Sequence, residues 1–113
     1  MRRAEVRVDG RRAGVLSEER SGFVFAYDED YDGPRVSLTM PRRSGPYAFD
    51  AFPPFFDGLL PEGAQLEALL RQAKLDRSDY FGQLVTVGAD LVGNVTVHPL
   101  PEGRPLGQPN GED

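Results

Sequence analysis

The spacing of apolar residues changes once along the chain, and this change constrains the fold more than any other feature of the sequence. Near the N-terminus apolar side chains occupy every second position, as at Ala4, Val6 and Val8, which is the pattern of a strand with one buried face. Across residues 66–73 they recur at the spacing of a helix. Strands followed by helices predict an α+β domain with a small antiparallel β-sheet and two helices.

Turn-forming residues divide the predicted sheet into short strands. Asp9 and Gly10 favour the positive φ angles that a tight hairpin requires, so we expect the chain to reverse after Val8. Pro41 has no amide hydrogen for a sheet ladder, so it should end a later strand. The predicted strands cover residues 4–8, 13–16, 23–27, 36–40 and 91–97, with a break at residues 17–20.

Two helices are predicted over residues 61–74 and 78–87. The residues suited to their ends are Pro61 and Glu62 at the first start, Ser78 or Asp76 at the second start, and a left-handed Gly88 at the second end. The residues that both periodicities predict to be largely buried are Val6, Val8, Leu16, Phe23, Phe25, Val36, Leu38, Leu66, Leu69, Leu70, Leu84 and Val95.

Composition indicates one soluble domain. Residues 1–98 carry the periodic segments, whereas residues 99–113 hold four prolines and three glycines and are expected to form a flexible tail. The chain has no cysteine, which excludes disulfides, thiolate nucleophiles and cysteine-based metal centres. It also has no apolar run of membrane-spanning length and no signal-peptide pattern at its start, so we expect a cytoplasmic protein without membrane contact.

The charges are distributed unevenly along the chain. The net charge is −5, and residues 1–50 carry nine charges of each sign while residues 51–113 carry four basic and nine acidic residues. An acidic chain is poorly suited to displace counterions from phosphates, so direct nucleic-acid binding is not expected. The N-terminal arginines are interspersed with Glu5 and Asp9, which favours a solvated strand face.

No segment predicts a catalytic, cofactor-binding or metal site. The run DEDYDG at residues 28–33 matches the first half of an EF-hand calcium loop, but Thr39 stands where the closing glutamate should be, and strands flank the loop. A solvated turn is the favoured interpretation. His98 is the single imidazole, and no glycine-rich phosphate motif is present.

The run PFFDGLLPEG at residues 54–63 places large apolar side chains among prolines, glycines and carboxylates. Adjacent Leu59 and Leu60 cannot both face one core from a helix without wide burial, so part of this surface is expected to lie outside. The alternative is that all four large side chains cap the sheet. The residue types alone leave both possibilities open.

The order of the motifs resembles the N-terminal subdomain of the HipA-type serine/threonine kinase toxins. The resemblance covers about residues 4–98 and depends most on the combination of PFFDGLLPEG with a later G-x-D-x-x-G segment. The motifs that carry it are the Asp9-Gly10 hairpin, Gly14 to Leu16, Phe25 to Tyr27, Leu38 to Pro41, Pro54 to Gly63, and Val87 to Gly93.

The resemblance implies a function through a partner. HipA toxins place a kinase body after this subdomain, and none follows within these 113 residues, so we expect no phosphoryl transfer by this chain. It is similar to the HipS-like small proteins of tripartite HipBST toxin–antitoxin modules, which implies binding and inhibition of a HipT- or HipA-like kinase. A HipB-like helix-turn-helix protein would be an indirect partner.

The resemblance also implies which residues would contact that kinase. A structural or activating subunit of a split kinase, or a fragment of a longer kinase, remains the alternative function. The implied partner-binding residues are Pro54, Phe55, Phe56, Leu59, Leu60, Pro61, Glu62 and Gly63.

Overall fold

The computed structural model describes residues 1–91 and 93–101. In it, five strands form one antiparallel sheet, and three helices pack beside the sheet. The strand order is β4-β3-β2-β1-β5. The predicted α+β class with an antiparallel sheet is therefore confirmed. The elements are β1 Arg3–Val8, β2 Arg11–Glu19, β3 Gly22–Tyr27, β4 Tyr47–Phe49, α1 Pro54–Asp57, α2 Gly63–Ala73, α3 Tyr80–Val87, a 3-10 turn Gly88–Asp90, and β5 Val95–Leu100.

The hairpin between β1 and β2 forms where the sequence predicts it. Asp9 and Gly10 both have positive φ angles, 52° and 83°, and Val8 pairs directly with Arg11. Two such residues in succession match the right-handed twist of the flanking strands. The hairpin fixes the register that turns the alternate apolar residues of β1 to one face.

One face of the sheet forms the hydrophobic core. The alternating residues of β1 are fully buried there, as are Leu16 on β2 and Phe25 on β3. Helices α1 and α3 supply the other side of this core with one or two large residues each. The largest of these helical core residues are Phe56, Phe81 and Leu84.

Strand β2 continues to Glu19, through most of the break that the sequence suggested at residues 17–20. Ser17 and Glu18 pair in register with β3, opposite Val24 and Phe23. The charge of Glu18 is tolerated in the strand because the guanidinium of Arg2 binds its carboxylate. The predicted break is therefore wrong for residues 17–19, and the chain turns at Arg20.

Residues 36–40 form a turn, which corrects the strand predicted for this segment. The Tyr27 hydroxyl accepts a hydrogen bond from the Val36 amide at 2.8 Å and donates one to the Met40 carbonyl. The side chains at both ends of the turn therefore lie in the core, so the apolar residues of this segment have the same alternating spacing as those of a strand. Leu38 lies at the tip, 79% exposed, so its predicted burial is also wrong. The short strand β4 pairs with β3 instead.

The two long helices lie within two residues of their predicted bounds, and α2 has Glu62 at its N-cap as predicted, but the caps of α3 differ from the prediction. Asp79, and not Ser78 or Asp76, caps α3, because its carboxylate accepts a hydrogen bond from the Gly82 amide at 3.0 Å. Gly88 has a φ of −60° and leads into the 3-10 turn, so it is not left-handed as predicted. A side chain at Gly88 would collide with the carbonyl oxygen of Val97, which explains the glycine.

Helix α2 is less buried than its apolar pattern predicts. None of its residues is fully buried, because side chains from α1 and α3 already cover the sheet face. The predicted burial of seven residues is confirmed, at Val6, Val8, Leu16, Phe25, Val36, Leu84 and Val95, whereas Phe23, Leu66, Leu69 and Leu70 are only half-buried.

The sheet includes the first residues of the predicted tail. Strand β5 runs through Pro99 to Leu100, which pairs with Arg3 on β1. Residues 102–113, the rest of that predicted tail, lie outside the described residues. In the described part of the chain, no helix has the length and apolar character needed to cross a membrane.

Arg2 connects the sheet to helix α3 through two carboxylates. Its guanidinium donates to both oxygens of Glu18, at 2.7 and 2.8 Å, and to both oxygens of Asp79, at 2.8 and 3.2 Å. It also lies over the ring of Phe81, 5.1 Å from the ring centre. The hydrogen bonds from Arg2 lower the pKa of Glu18 and the pKa of Asp79 below their ordinary values.

This arrangement predicts that stability is lost in acid. Because both pKa values are lower in the folded than in the unfolded chain, the stabilisation is fully present above about pH 5 and is lost as the pH falls through the lowered values. Urea unfolding of Arg2→Gln should therefore show a weaker dependence of the unfolding free energy on acid pH than the wild type. Arg3→Gln, at an exposed neighbouring position, should keep the wild-type dependence. Equal pH dependence in all three proteins would contradict this role of Arg2.

Candidate partner-docking surface

The segment from Pro53 to Leu60 is built from consecutive backbone turns. Pro54 occupies the first position of α1, where its missing amide hydrogen costs no helical bond. The Asp57 amide donates to the Pro53 carbonyl at 2.9 Å, and the Gly58 amide donates to the Pro54 carbonyl at 3.0 Å. These bonds make α1 a single closed turn of four residues.

The turn continues beyond the end of α1. The Leu59 amide donates to the Phe56 carbonyl at 3.0 Å, and the Leu60 amide donates to the Asp57 carbonyl at 3.1 Å. Gly58 keeps right-handed helical angles between them, with φ −66°. The positions of both leucines are therefore fixed relative to α1.

Phe56 anchors this segment in the core. Its side chain has no exposed surface, and its ring centre lies 6.0 Å from that of Phe25 on β3. Phe55, next to it, packs edge-on against Phe56 but is only half-buried. Phe56 cannot touch a partner directly, which corrects its assignment as a contact residue.

The half-buried residues Leu59, Leu60 and Pro61 form a ridge between two grooves. The 3-10 groove, on one side of the ridge, has a volume of about 370 Å³, and the α2 groove, on the other side, about 240 Å³. Leu60 and Pro61 line both grooves. The other lining residues are Gly58, Leu59, Gln65, Val87, Asp90 and Leu91 for the 3-10 groove, and Asp57, Glu62, Leu66, Arg77, Tyr80 and Gln83 for the α2 groove.

A buried glutamine supports the α2 groove from below. Gln83 is 1% exposed, and its side-chain amide donates to the backbone carbonyls of Arg77, at 2.9 Å, and Asp76, at 3.3 Å. These bonds satisfy the two donor hydrogens of the buried side-chain amide and fix the loop that precedes α3. Tyr80, at the start of α3, remains 43% exposed in the groove.

Four of the eight residues that the resemblance implied for partner contact line the grooves, namely Leu59, Leu60, Pro61 and Glu62. Pro54, Glu62 and Gly63 are exposed, and Phe55 and the ridge residues are half-buried. Their contact with a partner remains a prediction. Sequence reasoning missed the groove residues that come from distant segments, which are Arg77, Tyr80, Gln83, Val87, Asp90 and Leu91.

The acidic loop at residues 28–33 is tied to the sheet by ion pairs. Asp28 pairs with Arg12 at 2.9 Å, and Asp32 pairs with Arg11 at 2.8 Å. Residues 1–91 and 93–101 contain no group of three or more side chains arranged to hold a metal ion. His98 lies in β5, where its Nε2 is 3.0 Å from the Thr96 hydroxyl.

The fold and the ridge together define a small α+β domain with an apolar surface beside its first two helices. The chain belongs to the HipA N-terminal domain family, since the family model matches residues 4–98. A solved structure described as the N-terminal domain of HipA toxin superposes with a TM-score of 0.73 at 30% sequence identity. That match covers 91% of this chain and 96% of the other.

Relatives of two different lengths carry this domain. An uncharacterized protein of Haemophilus influenzae is 33% identical over 97 residues, which cover 86% of this chain and 92% of the relative. Two proteins of Sinorhizobium fredii, named "Putative kinase Y4dM" and "Putative kinase Y4mE", are 37% and 31% identical, over 84% and 80% of this chain. The chain spans only 26% and 23% of those two proteins.

The two adjacent phenylalanines provide a test of the anchoring role of Phe56. Phe56→Ala should lower the free energy of unfolding by about 3–5 kcal/mol, because it empties a fully buried site. Phe55→Ala should cost clearly less, because Phe55 is already half-exposed in the folded chain. Chemical denaturation of both variants measures the difference. Equal losses would show that the segment is not divided into a buried anchor and an outer surface.

Proposed function

We propose that this chain is a non-catalytic domain that docks on a separate HipA-type serine/threonine kinase and inhibits it. The observation that carries the proposal is the ridge of Leu59, Leu60 and Pro61, which stays half-exposed although the anchor beneath it is fully buried. Leu59 and Leu60 pack against the core with part of their side chains and leave the rest accessible to solvent. A protein partner would bury them.

The family relationship supports a kinase as that partner. In the two Sinorhizobium fredii relatives, whose names refer to kinases, the matching region makes up about a quarter of the chain. A domain of this family is therefore part of the same polypeptide as other segments in those proteins. A separate copy can bind a kinase at the position that the fused domain would occupy.

The composition of the surface suits a protein interface. Leucine, proline and tyrosine side chains surround two shallow grooves, with carboxylates at their rims. Binding energy in such interfaces is concentrated in a few apolar or aromatic anchors that fill pockets. Leu59, Leu60 and Tyr80 are the residues best placed to serve as anchors.

The sequence supports a role without catalysis. It has no glycine-rich phosphate motif and no cysteine, and its one histidine bonds to a neighbouring threonine in β5. The acidic side chains at Asp28 and Asp32 are already paired with arginines. Inhibition would therefore come from occupying the kinase surface.

An activating subunit is the second candidate, and the fused relatives favour it. If the domain is needed for an active kinase in one polypeptide, a separate copy could complete a split kinase by the same contact. Both functions use the ridge, and they differ in the sign of the effect on kinase activity. Activity measured with and without the chain separates them.

Co-expression with the cognate HipA-type kinase tests the proposal. The chain should restore growth to cells that express the kinase and should copurify with it. The double variant Leu59→Ala/Leu60→Ala should remain folded but lose protection, since losing about 2 kcal/mol at an anchor weakens binding roughly thirtyfold.

The chain offers a matched control for this experiment. Leu38→Ala removes the same side chain from an exposed turn tip outside the ridge, and it should protect as well as the wild type. Increased toxicity with the wild-type chain would favour the activating subunit. Failure to copurify with the kinase would contradict docking altogether.

A further inference from the structure

In the described part of the second half of the chain, most of the carboxylates without an ion pair lie beside the ridge. Six acidic residues between residues 51 and 101 belong to the described part of the chain, and two of them form ion pairs, Asp79 with Arg2 and Glu67 with Arg77. The other four have no ion pair with any described residue. Three of these four line the grooves, namely Asp57, Glu62 and Asp90.

These three carboxylates frame the ridge on both sides. Asp57 and Glu62 line the α2 groove, and Asp90 lines the 3-10 groove beside Leu91. All three are exposed. Arg77 is the basic residue of the α2 groove, but it is held by the carboxylate of Glu67 at 2.7 Å. The rim of the docking surface is therefore negatively charged.

We infer that the docking surface recognises a basic face on the kinase, in which lysine or arginine side chains surround the apolar site that receives the ridge. This inference rests on the proposed function and adds the chemistry of the partner surface. Carboxylates at the rim of an apolar contact lose hydration on binding, and this loss is offset when a cation meets them. Their charge also steers the partner during encounter.

The N-terminal arginines of a second copy of this chain would be poor partners for this rim. Most arginines at the start of the chain and in its first two strands already form ion pairs with carboxylates of the same chain. Arg2 pairs with Glu18 and Asp79, and Arg12 pairs with Asp28. Pairing with the rim of another copy would require these bonds to break. A separate basic protein meets the rim without that cost.

Charge-neutralising variants of nearly unchanged shape test the inference. The rim variant combines Asp57→Asn, Glu62→Gln and Asp90→Asn. The control variant combines Glu29→Gln, Asp30→Asn and Asp76→Asn, which change the net charge equally at exposed positions outside both grooves. Binding of each purified chain to the purified kinase is followed by surface plasmon resonance at low and at high salt.

The inference predicts a difference between the two variants at low salt. The rim variant should associate about tenfold more slowly than the wild type and should respond less to added salt, because steering by surface charge is screened by ions. The control variant should associate like the wild type.

The possible failures are distinguishable. If the wild type binds the kinase and both variants associate at the same rate, the basic-face inference is wrong while the proposed docking function stands. If the wild-type chain does not bind the kinase at either salt concentration, both are wrong. If the rim variant instead changes the self-association of the chain in sedimentation and leaves kinase binding intact, a second copy is the occupant and the inference is overturned.

Discussion

The burial of Phe56 against Phe25 is the interaction on which the arrangement of this domain depends. A five-stranded sheet with one apolar face must be covered, and the chain covers it with short helical segments. Helix α1 has only four residues, too few to be stable alone, so its position is fixed by the side chain that it inserts into the core. Phe56 thereby determines where the neighbouring residues of the segment emerge at the surface.

The same constraint explains why apolar residues remain half-exposed beside it. Side chains from α1 and α3 fill the space above the sheet, so the apolar stripe of α2 packs only at the margin. Leu60 and Pro61 of the ridge and Leu66 of α2 then line the α2 groove, above the buried Gln83. The packing of the core and the proposed docking surface thus have the same cause, which is the limited space above one face of the sheet. A partner would bury the apolar side chains that the domain itself leaves partly exposed.

Features that depend on residues close together in the sequence are predicted correctly, whereas features that depend on contacts between distant residues are not. The alternation in β1 and the Asp9-Gly10 turn follow from local rules, and both are found. The segment 36–40 alternates like a strand because the hydroxyl of Tyr27 closes it into a turn, which spacing does not reveal. Phe55 and Phe56 are the same residue type at adjacent positions, so the sequence does not show which of them is buried. The orientation of α1 on the sheet places Phe56 in the core. The grooves gather residues from four segments, so sequence could identify the ridge but not its surroundings.

Hydrogen exchange of the chain, alone and bound to a HipA-type kinase, tests the central claim most directly, because it locates the contact without altering a residue. The account predicts slower amide exchange on binding at residues 57–66, 77–83 and 87–91, which contain the ridge and the residues that line its grooves. Exchange in the acidic loop at residues 28–33 should not change. Protection confined to that loop, or to the exposed turn at residues 36–40, would place the interface elsewhere and contradict the account.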